Sequence, residues 1–187
     1  MKKISIKMPE KKRIVLIAHD AMKKDMVEWA KYNRHILAKY ELYGTGTTCR
    51  ILNESLDLHV KCFKSGPLGG DQQVGAKIAE NELDAIVFFS DPLDVHPHSS
   101  DVSALLRIAV VYNIPIACNR ASADFMISSP LMHEEYERLV TDYDNLYQNV
   151  RTPDKFGIEE KATEEESDLS LADGLTNPAT ETTMEKE

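Results

Sequence analysis

A chain of 187 residues, 42 % hydrophobic and 28 % charged, has room for one ordinary domain with a core, and its composition is that of a globular protein. The formal net charge of −9 is concentrated at the C-terminal end, where residues 152–187 hold eleven Asp or Glu against three Lys and leave the rest of the chain near neutrality. A body without basic excess excludes nucleic acid as a natural partner, and no apolar run approaches the ~20 residues of a membrane span.

In chain order, the basic start (Lys2, Lys3, Lys11, Lys12, Arg13) superficially suits a signal peptide. The apolar run behind it, Ile14 to Ala18, is too short and is stopped by His19-Asp20. Arg13–Ala18 reads instead as a buried strand and opens a body running from about Lys12 to Arg151. Met22–Leu37 has helical apolar spacing, and Tyr40–Tyr43 is a second short strand. Thr48–Leu56 is predicted as a short helix, Leu58–Phe63 as a strand interrupted by Lys61, and Asp71–Asn81 as a helix after a glycine-rich turn. Ala85–Phe89 is the clearest strand, Val102–Tyr112 a helix and Ile114–Ala117 a fifth strand. Ala123–Ser128 and Glu134–Leu146 read as further helical stretches. Residues 152–187, rich in Glu, Thr and Ser, bury too little to offset their ordering entropy and are expected to be a disordered acidic tail. Cys49, Cys62 and Cys118, odd in number and without a CxxC pair, argue against both zinc and a disulfide framework. They suit a reducing, cytoplasmic compartment.

Alternation of apolar strands with helices implies an α/β fold, a doubly wound, mainly parallel five-stranded sheet with helices on both faces. Ligands gather beyond the carboxyl ends of the strands in such sheets. His19-Asp20, Gly44-Thr45-Gly46-Thr47-Thr48, Ser65 to Asp71, and Asp91-Pro92 with His96-Pro97-His98 all fall there. The glycines and threonines of 44–48, between strand and helix, offer backbone and hydroxyl donors to an anion at a helix start. The plain alternative is a tight turn with a Thr N-cap. Ser65-Gly66 gives a second donor set, and Lys23 a positive charge. Asp71 behind Gly69-Gly70 is either a helix cap or a working carboxylate, the glycines arguing for close backbone approach. Asp91 and Asp101 have ordinary anchoring and capping roles as alternatives. His19 and His98 sit at the same sheet edge, where a histidine polarises a carbonyl or shuttles a proton. No tight ligand spacing supports a metal.

The ordered set Ile17-Ala18-His19-Asp20, Tyr43-Gly44-Thr45-Gly46-Thr47-Thr48, Ser65-Gly66-Pro67-Leu68-Gly69-Gly70-Asp71-Gln72-Gln73-Val74-Gly75-Ala76, Phe88-Phe89, Asp91-Pro92-Leu93, His98, Asp101, Leu105-Leu106-Arg107, Asn113-Ile114-Pro115 and Ala123-Asp124-Phe125 resembles the methylglyoxal synthase family over about Ile14 to Tyr143. The resemblance implies a domain of residues 1–151 and a substrate, dihydroxyacetone phosphate, from which methylglyoxal and inorganic phosphate are formed without metal or organic cofactor. It implies Asp71 as catalytic acid/base, with His98 facing the carbonyl side and Asp101 beside them. Substrate and phosphate contacts fall to His19, Lys23, Thr45, Gly46, Thr47, Thr48, Ser65 and Gly66, with Asp20 and Asp91 as supporting carboxylates. A homohexamer is implied, with Arg151 as the candidate for an arginine reaching a neighbour's site, and phosphate as product and inhibitor. Ser99-Ser100 replaces an expected acid-proline pair, and Ser90 stands where a larger side chain is usual. Two other readings remain: a non-catalytic phosphate or nucleotide sensor of the same fold, and an interaction protein recruited through its tail.

Overall fold

The computed structural model describes residues 2–93, 99–143 and 145. Its elements in chain order are β1 (Lys3–Met8), β2 (Arg13–Ala18), α1 (Lys23–Tyr32), α2 (Arg34–Leu37), β3 (Glu41–Thr45), α3 (Gly46–Leu56), β4 (Val60–Phe63), α4 (Gly70–Ala79), β5 (Ala85–Phe89), α5 (Ser99–Val111), β6 (Ile116–Ala117), α6 (Arg120–Ser128) and β7 (Tyr136–Thr141). The five strands β4-β3-β2-β5-β6 form a parallel sheet in that order. β2 and β5, apolar at nearly every position, occupy its centre, with Ile14 opposite Ala85 and Ala18 opposite Phe89. A strand buried on both faces has to read this way.

Alternate residues of these strands serve different faces. Ile14, Leu16, Ala18, Ala85, Val87 and Phe89 pack with Met26, Trp29 and Ala30 of α1, Leu52 of α3 and Ile127 of α6. Val15, Ile17, Ile86 and Phe88 pack with Val74 and Ile78 of α4 and Leu105 and Ala109 of α5. Trp29 is fully buried, meets Phe89 edge-on at 5.7 Å and donates its Nε1–H to Asp124 Oδ1 at 2.8 Å, tying α1 to α6. The doubly wound sheet expected from the strand pattern is therefore what forms, and the structure is entirely parallel within it.

Several expectations are corrected. Met22–Leu37 is broken at Asn33 into α1 and α2; the Asn33 amide donates to the Trp29 carbonyl at 3.1 Å. β6 keeps only Ile116 and Ala117, since Pro115 has no N–H to give the ladder, although its carbonyl accepts from Ile86 N–H at 2.9 Å. The described part of Glu134–Leu146 is not helical at 136–141. It is β7, antiparallel to β1, with Lys3 opposite Thr141 and Met8 opposite Tyr136. Arg138 and Val140 point inward while Glu137 and Leu139 are exposed, the period of a strand. The body thus begins at β1 rather than near Lys12. Cys49 on α3 and Cys62 on β4 form a disulfide, against the expectation of none; α3 folds back on β4 and brings their Cα atoms to 5.5 Å. Cys118 is free.

The amino ends of the strands bury a charge network. Arg13 Nε and Nη2 donate to the two Asp84 carboxylate oxygens at 2.8 and 2.9 Å, and the Arg13 backbone N–H donates to the same carboxylate at 2.8 Å. Asp84 holds the Arg13 guanidinium above its ordinary pKa. Arg138, 1 % exposed, reaches from β7 to Asn81 Oδ1 at 2.7 Å and to the Tyr112 carbonyl. Lys12, wholly buried, donates to the carbonyls of Pro9 and Glu134. Burial pushes its pKa down. Residues 146–187, including the acidic tail, lie outside the described residues.

Candidate active site

At the opposite end of the sheet a cavity of about 240 Å³ opens over the strand termini. Four chain segments build it. β2 ends in Ala18 and delivers His19, Asp20 and Lys23; β3 delivers Thr45 to Thr48; β4 delivers Ser65 and Gly66; α4 delivers Asp71. All eight residues expected to contact substrate line this one cavity, together with Asp20 and Asp71. β2 sits where the sheet winds outward in both directions, the position at which doubly wound folds bind ligands.

The Thr/Gly loop is held by local geometry. α3 begins at Gly46, two residues before the expected Thr48, so Thr47 and Thr48 lie in its first turn. Thr45 occupies the N-cap position with extended backbone but makes no side-chain cap. The capping alternative for this motif therefore fails, and the Thr47 and Thr48 N–H groups lie in the helix's first turn, where an anion is favoured. Gly46 has φ +44°, and a Cβ there would lie 2.8 Å from Ser65 Cα. Its N–H donates to the Lys64 carbonyl at 3.1 Å, so the two donor loops are locked edge to edge. Thr48, 3 % exposed, donates to the Ala18 carbonyl at 3.4 Å.

Asp71 is 4 % exposed at the second position of α4. The N-cap is Gly69, at φ +94°, so Asp71 is not the capping residue. The close approach required by the glycine pair is to protein, not ligand. A Cβ on Gly70 would stand 2.1 Å from the Lys64 carbonyl oxygen, and Gly70 N–H donates to the Ser65 carbonyl at 2.9 Å. Gln73, which sequence reasoning passed over as a site residue, accepts the Lys64 N–H on Oε1 at 2.8 Å and pins the same junction. Its only sequence signal was its place within the Gly-Gly-Asp-Gln-Gln run.

His19 is 8 % exposed and lies edge-on to Phe88 at 5.0 Å. Asp91 N–H donates to its Nδ1 at 2.9 Å. An Nδ1 that accepts carries no proton, so the ring is neutral and its proton is on Nε2. Asp91 does not line the cavity; its Oδ1 accepts Leu93 N–H at 3.0 Å, which holds the loop that fixes His19. Lys23 pairs with Asp20 across one turn at the rim. Asp101 lines a cleft of about 260 Å³ between α4 and α5 that Asp71 also borders. His98 and Arg151 lie outside the described residues. Among the described residues no group of three or more His, Cys, Asp or Glu is placed to hold a metal ion, and no helix is long and apolar enough to cross a membrane.

A parallel doubly wound sheet with glycine-, threonine- and serine-bearing loops and a buried carboxylate at one strand-end cavity defines the class, and residues 25–118 match the family described as MGS-like domain. The chain is 57 % identical over 143 residues to a methylglyoxal synthase of Leptospira interrogans, covering 76 % of this chain and 95 % of that protein. It is 49 % identical over 144 residues to the methylglyoxal synthase of Clostridium acetobutylicum, covering 77 % and 97 %. The crystal structure of methylglyoxal synthase from Elizabethkingia anophelis superposes with a TM-score of 0.74 at 46 % identity, over 78 % of this chain and 95 % of that one. The chain belongs to the methylglyoxal synthase family, and is with it a lyase.

Proposed function

We propose that this protein converts dihydroxyacetone phosphate to methylglyoxal and inorganic phosphate, as a cytoplasmic carbon–oxygen lyase. The observation that carries the reading is the placement of the buried Asp71 carboxylate on the same cavity wall as two donor-rich loops and a neutral His19. Asp71 takes a proton from the hydroxymethyl carbon next to the ketone, giving an enediolate. Fixed donors stabilise the developing oxyanion. His19 supplies one such donor through Nε2–H, the pairing of carboxylate base and neutral imidazole that also serves isomerisation of triose phosphates. His98, on the carbonyl side, and Asp101 complete the set in this reading.

The outcome is decided by the phosphate. Held with its ester bond roughly perpendicular to the enediolate plane, it is expelled as the carbon–oxygen bond breaks; held in plane, it is retained. Thr45–Thr48 and Ser65–Gly66, with Lys23 as counter-charge, hold it in the eliminating orientation. The enol that remains tautomerises to methylglyoxal, its methylene carbon gaining a proton as its hydroxyl loses one. Inorganic phosphate occupies the same loops and inhibits. The working assembly is a homohexamer in which Arg151 reaches a neighbour's site, and no cofactor takes part. The test is to treat purified protein with EDTA and supply dihydroxyacetone phosphate. Methylglyoxal and phosphate are expected in equal amounts, with initial rates at low substrate depressed by millimolar phosphate. Absence of either product overturns the reading.

A further inference from the structure

We propose that the Cys49–Cys62 disulfide is a redox switch that sets how tightly the two phosphate loops hold their anion, an inference that rests on the phosphate reading of those loops. The bond joins the two elements that present them. Cys49 follows Thr48 directly on α3, and Cys62 lies on β4 three residues before Ser65. The loops also touch through the Gly46 N–H to the Lys64 carbonyl, 3.1 Å, so a shift of α3 against β4 is felt at both.

Reduction removes the covalent tie that resists such a shift. Cys49 is wholly buried and packs over Gly44 of β3, where a Cβ would lie 3.2 Å from its Cα and Cβ. The freedom gained lies at the first turn of α3 and the end of β4, which carry the two loops. The fold survives it, because a second tie between the same elements does not depend on sulfur. The Asn53 side chain donates to the Val60 carbonyl at 2.9 Å and accepts the Val60 N–H at 2.8 Å. A reduced Cys49 thiol also has an acceptor, the Val60 carbonyl 3.3 Å away.

Access favours exchange. Cys62 is exposed on β4, the edge strand of the sheet. A low-molecular-weight thiolate attacks its sulfur and forms a mixed disulfide, while Cys49 leaves as thiolate and takes a proton. A second thiol then attacks the small-molecule sulfur of the mixed disulfide, releasing Cys62 and the oxidised small disulfide. Two small thiols are oxidised for each protein disulfide reduced, and the small disulfide reverses the sequence. In a reducing compartment a bond of this kind is transient and responsive rather than a permanent staple. The oxidised state, with the loops pre-set, is the tight one.

The experiment uses the full chain, oxidised with glutathione disulfide or reduced with dithiothreitol, and titrated calorimetrically with inorganic phosphate. Thiol counts in denaturant are expected to be one for the oxidised form (Cys118) and three for the reduced form. Reduction is expected to weaken phosphate binding roughly fivefold or more. Cys62→Ser is expected to bind at the reduced value under both treatments, which separates the switch from any other effect of the reagents. Three thiols after oxidation, or equal affinity in both forms, overturns the proposal. So does a lowered melting temperature with affinity unchanged, which would make the bond a structural staple. Binding by neither form would remove the phosphate reading itself and the switch with it.

Discussion

At the amino ends of the parallel strands Arg13, Asp84, Asn81 and Arg138 bond to one another and to backbone, and Lys12 spends its ammonium on two carbonyls. At the carboxyl ends His19, the threonine loop, Ser65 and Asp71 face a shared cavity. Both regions bury ionisable groups, so burial alone does not identify a working site. The first arrangement uses its polar atoms to join β1, β2, β5 and β7, and its loss registers as stability. The second gathers donors and a carboxylate around a cavity, and under the proposed function its loss is expected to register as rate.

The sharpest way to break this contrast is Asp71→Asn. It keeps size and most hydrogen bonding but removes basicity. Turnover is expected to fall about 10²- to 10⁴-fold, with the thermal midpoint nearly unchanged. Proton exchange between solvent and the substrate's hydroxymethyl carbon, followed by NMR, should stop as well. Near-normal turnover would remove Asp71 from the mechanism.

Asp84→Ala should do the reverse. The carboxylate is 1 % exposed and paired with an Arg13 side chain that keeps 25 % of its exposure. Breaking a buried pair costs about 3–5 kcal/mol, and the partial hydration of Arg13 places this one at the lower end, about 3 kcal/mol. Urea unfolding measures it, and activity per folded molecule should be retained. Lost activity in a still-stable variant would contradict the division between the two ends.

Gly46→Ala tests where the two roles meet. The left-handed backbone costs a side chain roughly 1–2 kcal/mol, and the new methyl meets Ser65 Cα at 2.8 Å. The Michaelis constant should rise about tenfold, the equivalent of roughly 1.4 kcal/mol in binding, with a smaller loss in thermal midpoint. An unchanged Michaelis constant would separate the Thr/Gly loop from substrate.

The smallest effect belongs to the amino-end region. Burial pushes the Tyr40 phenol up to about 12, while its hydroxyl lies 2.6 Å from His133 Nδ1. The folded protein keeps that proton where the unfolded chain, near pH 10, gives it up. Stability from this source is complete below pH 10 and is lost as pH rises toward 12. Tyr40→Phe should flatten the fall in urea midpoint between pH 9 and 11, with neutral-pH turnover untouched. An equal slope in both proteins would assign the alkaline loss to other groups.

What was legible in the sequence follows from how each element is stabilised. β2 and β5 announce themselves because burial on both faces demands unbroken apolar runs. The cavity loops are legible because their tight strand-to-helix turns bring glycine and hydroxyl residues to the strand ends. β7 was misread because Leu139, Tyr143 and Leu146 fall at helical intervals, while the inward position that would show strand alternation is filled by Arg138, a charge. Lys12 looked like part of a basic leader because its burial depends on carbonyls from Pro9 and Glu134, far apart in the chain. The disulfide was invisible for a related reason: nothing in a spacing of 13 residues says that α3 doubles back on β4.

The β1–β7 ribbon has a kinetic consequence. Lys3 and Thr141, 138 residues apart, are its outermost pair. Closing so long a loop from an unstructured chain is slow to be rewarded, whereas the β2–β3 and β3–β4 crossovers close over short spans. Once the parallel sheet has formed, the two ends are already held near each other, by Lys12 to Glu134 and by Asn81 to Arg138. The ribbon is therefore expected to zip after the folding barrier and to open before it. Substitutions along its exposed face at Ile4 or Leu139 change how fast the protein comes apart, and leave how fast it assembles close to its original value.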